Sequence, residues 1–487
     1  MPTIILAMLL AAAGLVDAVK SGDRTTALSL LQQKVNVNAP EADGTTALHW
    51  AVQKDDADLV DRLIKAGANV NAKNDYGSTP MSEAAINGDV AIMDKLLKAG
   101  ASAESSNADG QTALMIVART NNVEAARLLL NHGANVNAAE KFHEQTPLMW
   151  AAAEGQASMT KELIAHGADV NARSHVNDWD RQVTAEARAI ARPAGGLTAL
   201  LYAARQGCTG CAKALAEGGA DLNLADPEGV SPLLLSILNM NFDVAAYLIQ
   251  KGANVDKWDW WGQSPVYAAV DVNTIPHGGR PDRPSADETT SLQVLQMLLD
   301  KGANANLQLK LLPPYRNLGA DRGVDGMLTI GTTPLLRAAK GLDAPAIKLL
   351  LEHGANPNLP NTRNFIPIVA AAGIGSSDAD TRGWFKTDDV QQRAIASLDL
   401  LLKAGGDINA KDTQGKTLLL GAAFWGWSDV VKYLAAHGAD LSAKDNRGHD
   451  AVDTALGKAG GNSRGGQRVD VHQDTADLLK QLIAAKQ

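Results

Sequence analysis

Asn74-Asp75-Tyr76-Gly77-Ser78-Thr79-Pro80-Met81-Ser82-Glu83-Ala84-Ala85-Ile86-Asn87-Gly88, followed by Ile92, Met93, Leu96, Leu97 and Gly100, is the stretch on which the fold is decided. Asp75, Tyr76 and Gly77 form a turn. Thr79 sits where a helix needs an N-cap, and Pro80 takes the first helical position, where its missing N–H costs nothing. Met81, Ala84 and Ala85 give an apolar face at helical spacing, Asn87 and Gly88 break it, and Ile92, Met93, Leu96 and Leu97 supply a second face. Gly100 closes the second helix in the left-handed conformation that glycine adopts cheaply. Two such short helices cannot bury their apolar faces alone, so the unit must lean on neighbours. Small alanines in the first helix let those neighbours come close.

Neighbours of the same kind are present. Gly67, Gly100, Gly133, Gly167, Gly219, Gly252, Gly302, Gly354, Gly405 and Gly438 all end helices in one short phrase, at intervals of 33, 33, 34, 52, 33, 50, 52, 51 and 33 residues. A period of this size specifies a stacked solenoid, whose general use is as a binding scaffold. The four long intervals carry extra segments of similar size.

The phrases themselves resemble those of ankyrin-repeat proteins. The T-P-L-H-x-A-A phrase recurs as Thr46-Ala47-Leu48-His49-Trp50-Ala51-Val52, Thr146-Pro147-Leu148-Met149-Trp150-Ala151-Ala152 and Thr333-Pro334-Leu335-Leu336-Arg337-Ala338-Ala339. The G-A-[DN]-V-N phrase recurs as Gly67-Ala68-Asn69-Val70-Asn71 and Gly167-Ala168-Asp169-Val170-Asn171. The resemblance runs from Leu15 to the C-terminus and implies an all-α ankyrin-repeat solenoid of about twelve helix-turn-helix units with β-turn tips and inserted loops. The terminal units are degraded: Lys34 stands where the first glycine belongs, and Asn446 to Gln487 lacks the T-P-L-H phrase. End faces meet water rather than another repeat, so such caps are expected. The arrangement is similar to exported bacterial ankyrin proteins with insertions, which implies a protein or peptide partner rather than an activity.

Residues 1–13 are expected to be separate from a single repeat domain spanning 14–487. Ile4 to Ala13 has the length of a signal-peptide apolar core and Ala11-Ala12-Ala13 offers a cleavage-like site, although no basic segment precedes it. The expectation is a periplasmic or secreted protein, with an apolar first turn of the capping helix, and a cytoplasmic location, as the alternative. No stretch is long enough to span a membrane. The net charge of -9 gives no basic footprint for nucleic acid. Cys208 and Cys211 form a C-x-x-C at the start of a second helix; zinc would need two further ligands. Small, partly buried side chains are the simplest reading, a local disulfide is the alternative consistent with export, and catalytic redox chemistry is the third, although a redox motif normally opens a helix after a strand rather than in an inter-helix loop.

Aromatic residues make up only 4% of the chain, yet nine are tryptophan. Trp50, Ile116, Trp150, Tyr202 and Leu235 share the register before the Ala pair and should line the inner face. Asp259-Trp260-Trp261-Gly262 should place two tryptophans at a solvent-facing tip, beside Trp258, while Phe424 and Trp425 end a first helix on the inner face. Tryptophan and tyrosine are common binding anchors. Insertions are expected near 176–194 (with a short helix, Gln182 to Ala191), 271–290, 310–330, 374–393 and 457–472, and often mark the binding edge. Leu312-Pro313-Pro314-Tyr315-Arg316-Asn317 reads as an ordered part of one insertion, with Tyr315 and Arg316 as contact candidates. No nucleotide-binding, zinc-protease or esterase phrase occurs. Asp378, Asp380 and Asp389 imitate a calcium loop, but Arg382 and the missing glutamate spoil it, and Gly460 to Gly466 reads as a flexible insertion. No catalytic residue, cofactor or metal is therefore expected. The reading is a non-enzymatic, monomeric protein-binding scaffold. The alternatives are an enzyme or small-molecule site built by insertions around Tyr315, Arg316, Asp321 and Arg322, and a secreted effector binding host proteins.

Overall fold

The computed structural model describes residues 14–177, 181–183, 190–192, 194–274, 285–311, 327–375, 387–459 and 470–486. Among them, twenty-four helices form twelve consecutive pairs, divided between two compact units. The first unit (Met1–Trp179 and Pro193–Pro227) contains α1 (Leu15–Ser21) with α2 (Arg24–Gln32), α3 (Ala47–Gln53) with α4 (Ala57–Lys65), α5 (Pro80–Asn87) with α6 (Val90–Lys98), α7 (Ala113–Arg119) with α8 (Val123–Asn131), α9 (Pro147–Ala153) with α10 (Ala157–Ala165), and α11 (Ala199–Gln206) with α12 (Thr209–Glu217). The second (Asp180–Arg192 and Glu228–Gln487) contains α13 (Pro232–Leu238) with α14 (Phe242–Gln250), α15 (Pro265–Thr274) with α16 (Ser291–Asp300), α17 (Pro334–Lys340) with α18 (Ala344–Glu352), α19 (Pro367–Ala371) with α20 (Val390–Lys403), α21 (Leu418–Phe424) with α22 (Ser428–Ala436), and α23 (Ala451–Ala455) with α24 (Gln473–Lys486).

Local chemistry starts and stops these helices where the period requires. The Thr79 hydroxyl accepts the Ser82 N–H at the start of α5, and the Asp89 carboxylate accepts the Ala91 and Ile92 N–H groups at the start of α6. All ten ladder glycines have φ between +80° and +94°. A Cβ added at any of them would meet nothing within 4 Å, so conformation rather than space selects glycine. Lys34 holds the same left-handed place in the first pair, at φ +54°.

The asparagine of the G-A-x-V-N phrase explains how pairs stack. Asn38 accepts the Asn69 N–H and donates to the Gly67 carbonyl; Asn71 does the same to Ser102 and Gly100. In the second unit the staple crosses two of the long steps: Asn306 binds Asn356 N–H and the Gly354 carbonyl, and Asn358 donates to Gly405, while at the step to Gly302 Asp256 takes the place and accepts the Asn304 N–H. The carbonyl of the glycine that ends one pair is thus satisfied by a neighbouring pair. Within each unit the first helices of neighbouring pairs pack together more extensively than the second helices do, except at the step from α19 to α21. Fully buried Ala51, Ala84, Ala85, Ala118, Ala151 and Ala152 permit that approach in the first unit, and Ala268, Ala338, Ala370 and Ala422 in the second.

The turns between pairs are fingers joined edge to edge. Asp75 N–H donates to the Asp43 carbonyl, Lys141 to Asp109, and, in the second unit, Trp260 to Glu228 and Asn446 to Gln414. Insertions enter at two kinds of place. Those at 271–290, 374–393 and 457–472 separate the two helices of a pair, although α15 runs into the first of these three to Thr274 and α20 begins inside the second, at Val390. The segment 310–330 sits in a finger, whose arms pair through Leu309 N–H to the Thr332 carbonyl and Gly331 N–H to the Leu309 carbonyl. Residues 176–194 are bounded by an equivalent pairing of Asn177 N–H with the Ala194 carbonyl. The short helix expected over Gln182 to Ala191 is not formed. Instead β1 (Arg181–Val183) and β2 (Ile190–Arg192) pair antiparallel, Arg181 opposite Arg192. Val183 stands in register with Ile190 across this pairing, and Pro193 follows directly in the sequence.

Candidate functional site

Inner-face residues of the first unit are held by polar neighbours. Trp50 is half-buried, and its indole N–H donates to Glu41 Oε2 at 2.8 Å. Glu41 Oε1 accepts from Lys20 at 2.7 Å, and the Lys20 ammonium lies 4.8 Å from the Trp50 ring centre. That bond holds the Glu41 carboxyl below the usual carboxylate range and raises Lys20. Trp150 lies half-buried under Arg119, 6.0 Å from its ring centre, with its indole N–H shielded and unbonded. Tyr202 is buried; its hydroxyl accepts from Gln145 Nε2 at 2.6 Å, and Arg205 lies 5.0 Å from its ring. Ile116 is half-buried in the same register, but Glu83 interrupts it, accepting from the Ser78 hydroxyl. The row is therefore aromatic and cation-roofed rather than wholly apolar. Leu235, half-buried, belongs to the second unit.

The fingers expose aromatics that the register argument passed over. Tyr76 is 69% exposed and Phe142 65%. The turns that carry them are set by a side chain at their first position: Asn74 Oδ1 accepts the Tyr76 and Ser78 N–H groups, and the Glu140 carboxylate accepts those of Phe142, His143 and Gln145. Tyr76 in its D-Y-G turn was a readable signal; Phe142 in Glu140-Lys141-Phe142-His143 carries no glycine to mark it. Between this finger and the next lies an open groove of about 600 Å³, lined by residues including Glu140, Lys141, Glu144, Asp169 and Arg173.

In the second unit the three clustered tryptophans separate. Trp258 and Trp260 are exposed, at 42% and 55%, and the Lys310 ammonium lies 3.1 Å from the Trp258 ring centre. Trp261 does not sit at a solvent-facing tip: it is 3% exposed. Asp259 Oδ1 turns the chain by accepting the Trp261 and Gln263 N–H groups, and both Lys310 and Leu311 donate backbone N–H groups to the Trp261 carbonyl. The arm of the inserted finger thus folds back over this side of the turn, and Leu309 and Met327 at its two ends are buried as well.

Phe424 and Trp425 are half-buried and act together with Trp427, which the register argument missed. Trp425 stacks on Trp427 at 6.0 Å, Phe424 meets Trp425 edge-on at 5.6 Å, and the Trp425 indole N–H donates to the Gly373 carbonyl at 2.8 Å. A Cβ at Gly373 would sit 2.6 Å from the Trp425 ring, so this contact requires glycine. Trp425 is thereby tied to the root of an insertion. Another insertion root is polar: Arg337 pairs with Asp271 at 2.6 Å, and Asn273 bridges Ser291 and Asp343. Ser285 and Thr289 fasten the far end of that insertion to α14 through the Met240 carbonyl and Asp243, whose carboxyl the Thr289 hydrogen bond holds low.

Cys208 and Cys211 are joined in a disulfide at the start of α12, rather than being two small free side chains. Among the described residues no group of three or more His, Cys, Asp or Glu is placed to hold a metal, and no helix is long and apolar enough to cross a membrane. Tyr315, Arg316, Asp321, Arg322, the calcium-like Asp378 to Gly383, Gly460 to Gly466 and the apolar segment 1–13 lie outside the described residues.

Sequence patterns described as "Ankyrin repeats (3 copies)" match residues 15–107, 82–174 and 182–272, and "Ankyrin repeat" matches 330–362 and 414–446. The chain belongs to the ankyrin-repeat family. Its finger, paired helices and asparagine staple are the structural content of those matches. Similar ankyrin-bearing relatives include the mouse B-cell lymphoma 3 protein homolog, 29% identical over 39% of this chain and 35% of that protein. The human transient receptor potential cation channel subfamily A member 1 is 25% identical over 47% of this chain and 20% of the channel. The chain thus spans about a third or less of these relatives. Among solved structures, the human ASB11 ankyrin repeat domain is 24% identical, covering 49% of this chain and 98% of that one, with a TM-score of 0.39.

Proposed function

We propose that this ankyrin-repeat chain is a non-enzymatic scaffold that grips a protein or peptide partner through aromatic anchors on its fingers and inner faces. The observation that carries the reading is the pair Trp258 and Trp260, both exposed on a finger whose backbone is pinned on both sides. Large aromatics held rigidly in water supply contact area at little entropic cost, as binding anchors do. Tyr76 and Phe142 offer the same on the first unit, and half-buried Trp50 and Trp150 offer flatter apolar surface on its inner face. Trp261 is left out of the contact set, and Trp425 serves chiefly to brace an insertion.

The test is affinity capture from extract of the source cells, comparing the full chain with Trp258→Ala/Trp260→Ala. A specific partner retained by the parent and lost by the variant, with unchanged helical circular dichroism, is the expected result. Equal capture by both proteins would refute anchoring at this finger. The same scaffold is proposed to work outside the cytoplasm, because a local disulfide persists in oxidising compartments and is seldom kept in reducing ones. Fractionation of cells locates the protein, and recovery solely in the cytosol would reject that part.

A further inference from the structure

Four second helices of the first unit start on an acceptor side chain. Asp23, Asp56, Asp89 and Asn122 each accept the backbone N–H three residues on, from Thr26, Leu59, Ile92 and Ala125. The position calls for an oxygen, best a negative one, because it faces the free N–H groups and positive end of a helix. At the start of α12 the residue in that place is Cys208, and its Sγ accepts the Cys211 N–H at 3.0 Å. A sulfur therefore occupies a site built for an anion. On reduction, the same N–H would cap the Cys208 thiolate and stabilise it.

Two further observations concern access. Cys211 is fully buried while Cys208 is half-exposed, so the bond joins an interior sulfur to one at the surface. Two glycines lie close to Cys208. Gly207 precedes it, and a Cβ placed on Gly155 of the preceding pair would come within 3.9 Å of the Cys208 Cβ. Behind the pair, a Cβ on Gly210 would lie 2.8 Å from the Ala157 Cβ, so the helix start is packed tightly on that side.

We propose that Cys208–Cys211 is an exchange-competent disulfide that reacts with thiols of a protein or peptide, Cys208 being the sulfur attacked. An external thiolate bonds to Cys208 Sγ, the Cys208–Cys211 bond breaks, and its electron pair leaves on Cys211, which takes up a proton. A second thiol of the same substrate, as thiolate, then attacks the substrate sulfur of the mixed disulfide. The substrate disulfide forms, and Cys208 departs as a thiolate under the Cys211 N–H. Two electrons pass from substrate dithiol to protein; run backwards, the steps reduce a substrate disulfide. This chemistry goes beyond partner gripping and does not depend on Trp258 or Trp260.

The full chain is equilibrated in glutathione buffers of graded reduced-to-oxidised ratio, acid-quenched and alkylated, with thiols counted by mass and helicity followed by circular dichroism. Reversible interconversion without loss of helicity is expected. With oxidised glutathione as probe, reduced Cys211→Ser should acquire one adduct at Cys208, while reduced Cys208→Ser should react about tenfold or more slowly through its buried thiol. Peptide mapping of the mixed disulfide trapped on the parent chain gives the same answer without any variant: its glutathione should be on Cys208. A disulfide that reacts only once helicity is lost, equal rates in the two variants, or trapping at Cys211 would each overturn the proposal and leave the pair a structural staple.

Discussion

Tyr76 and Trp261 occupy the same place in the same four-residue turn, one in each unit, and they have opposite environments. Tyr76 is 69% exposed and Trp261 3%. Both turns are made by a polar residue that accepts backbone N–H groups from the second residue after it and the fourth. The difference lies in the next finger. Beyond Tyr76 a plain finger gives one backbone bond, from Ala108; beyond Trp261 an inserted finger gives two, from Lys310 and Leu311. The inner register shows a related contrast. In the first unit it holds Trp50, Glu83, Ile116, Trp150 and Tyr202; in the second it holds Leu235 and then the smaller or charged Ala268, Arg337, Ala370 and Gly421. Where the residue is Gly421, neighbouring chain fills the space instead: a Cβ there would lie 2.5 Å from the Ala372 carbonyl oxygen and 2.6 Å from Ile374. An insertion thus changes what the repeat on either side of it is asked to be.

The largest effect expected from this contrast is at the buried tip. Trp261→Ala should cost about 4 kcal/mol of second-unit stability, as removal of a buried tryptophan does, read as a lowered urea midpoint by circular dichroism. A loss below about 1 kcal/mol would mean that the inserted finger does not cover the turn. Next, Gly421→Ala should cost about 3 kcal/mol, because the new methyl meets backbone that cannot swing aside. The ladder substitution Gly100→Ala, where conformation alone is at stake, should cost only about 1–2 kcal/mol. Reversal of that order in matched melts would show that the left-handed φ at the ladder outweighs the close backbone contact at Gly421.

A smaller effect separates the units by pH. His49 is buried with Nδ1 accepting from Thr46 N–H, which leaves Nε2–H to donate to the Ser78 carbonyl, so only the neutral ring fits. Burial accordingly pulls its pKa below the ordinary value. Its stabilising contribution is full above the unfolded-state pKa of about 6.5 and declines as pH falls from there through the lower folded-state value. The corresponding second-unit residues, Tyr267, Leu336, Val369 and Leu420, do not titrate in that range. Hydrogen exchange at about pH 7 and about pH 5 should therefore show greater acid loosening around α3 than around α15 or α17, and His49→Leu should remove the difference. The smallest effect is Tyr76→Ala, expected within about 0.5 kcal/mol of the parent, with any consequence confined to partner capture.

Much of the fold was legible from short-range chemistry. Thr79 and Pro80 start a helix, Gly100 ends one, and the 33-residue step repeats them, because caps, φ preference and apolar spacing act within a few residues. Even Lys34 could be placed from register alone, and it adopts the left-handed angle. The anchors were harder to read. Trp258, Trp260 and Trp261 are alike in composition and adjacency, and nothing local tells which will be covered. Gln182 to Ala191 was misjudged for the same reason: helix propensity lost to a pairing across the segment.

What the sequence determined by itself is the repeat: its two helices, its finger and the glycine that ends it. Those features depend on groups close along the chain or at one fixed step. Only the tertiary structure decided that Trp261 is core while Trp260 is surface, that Trp425 is fastened to Gly373, and that Cys208 and Cys211 are bonded with one sulfur inside. Each of these turns on which segment the fold brings against the side chain. An insertion makes that choice independently of the repeat.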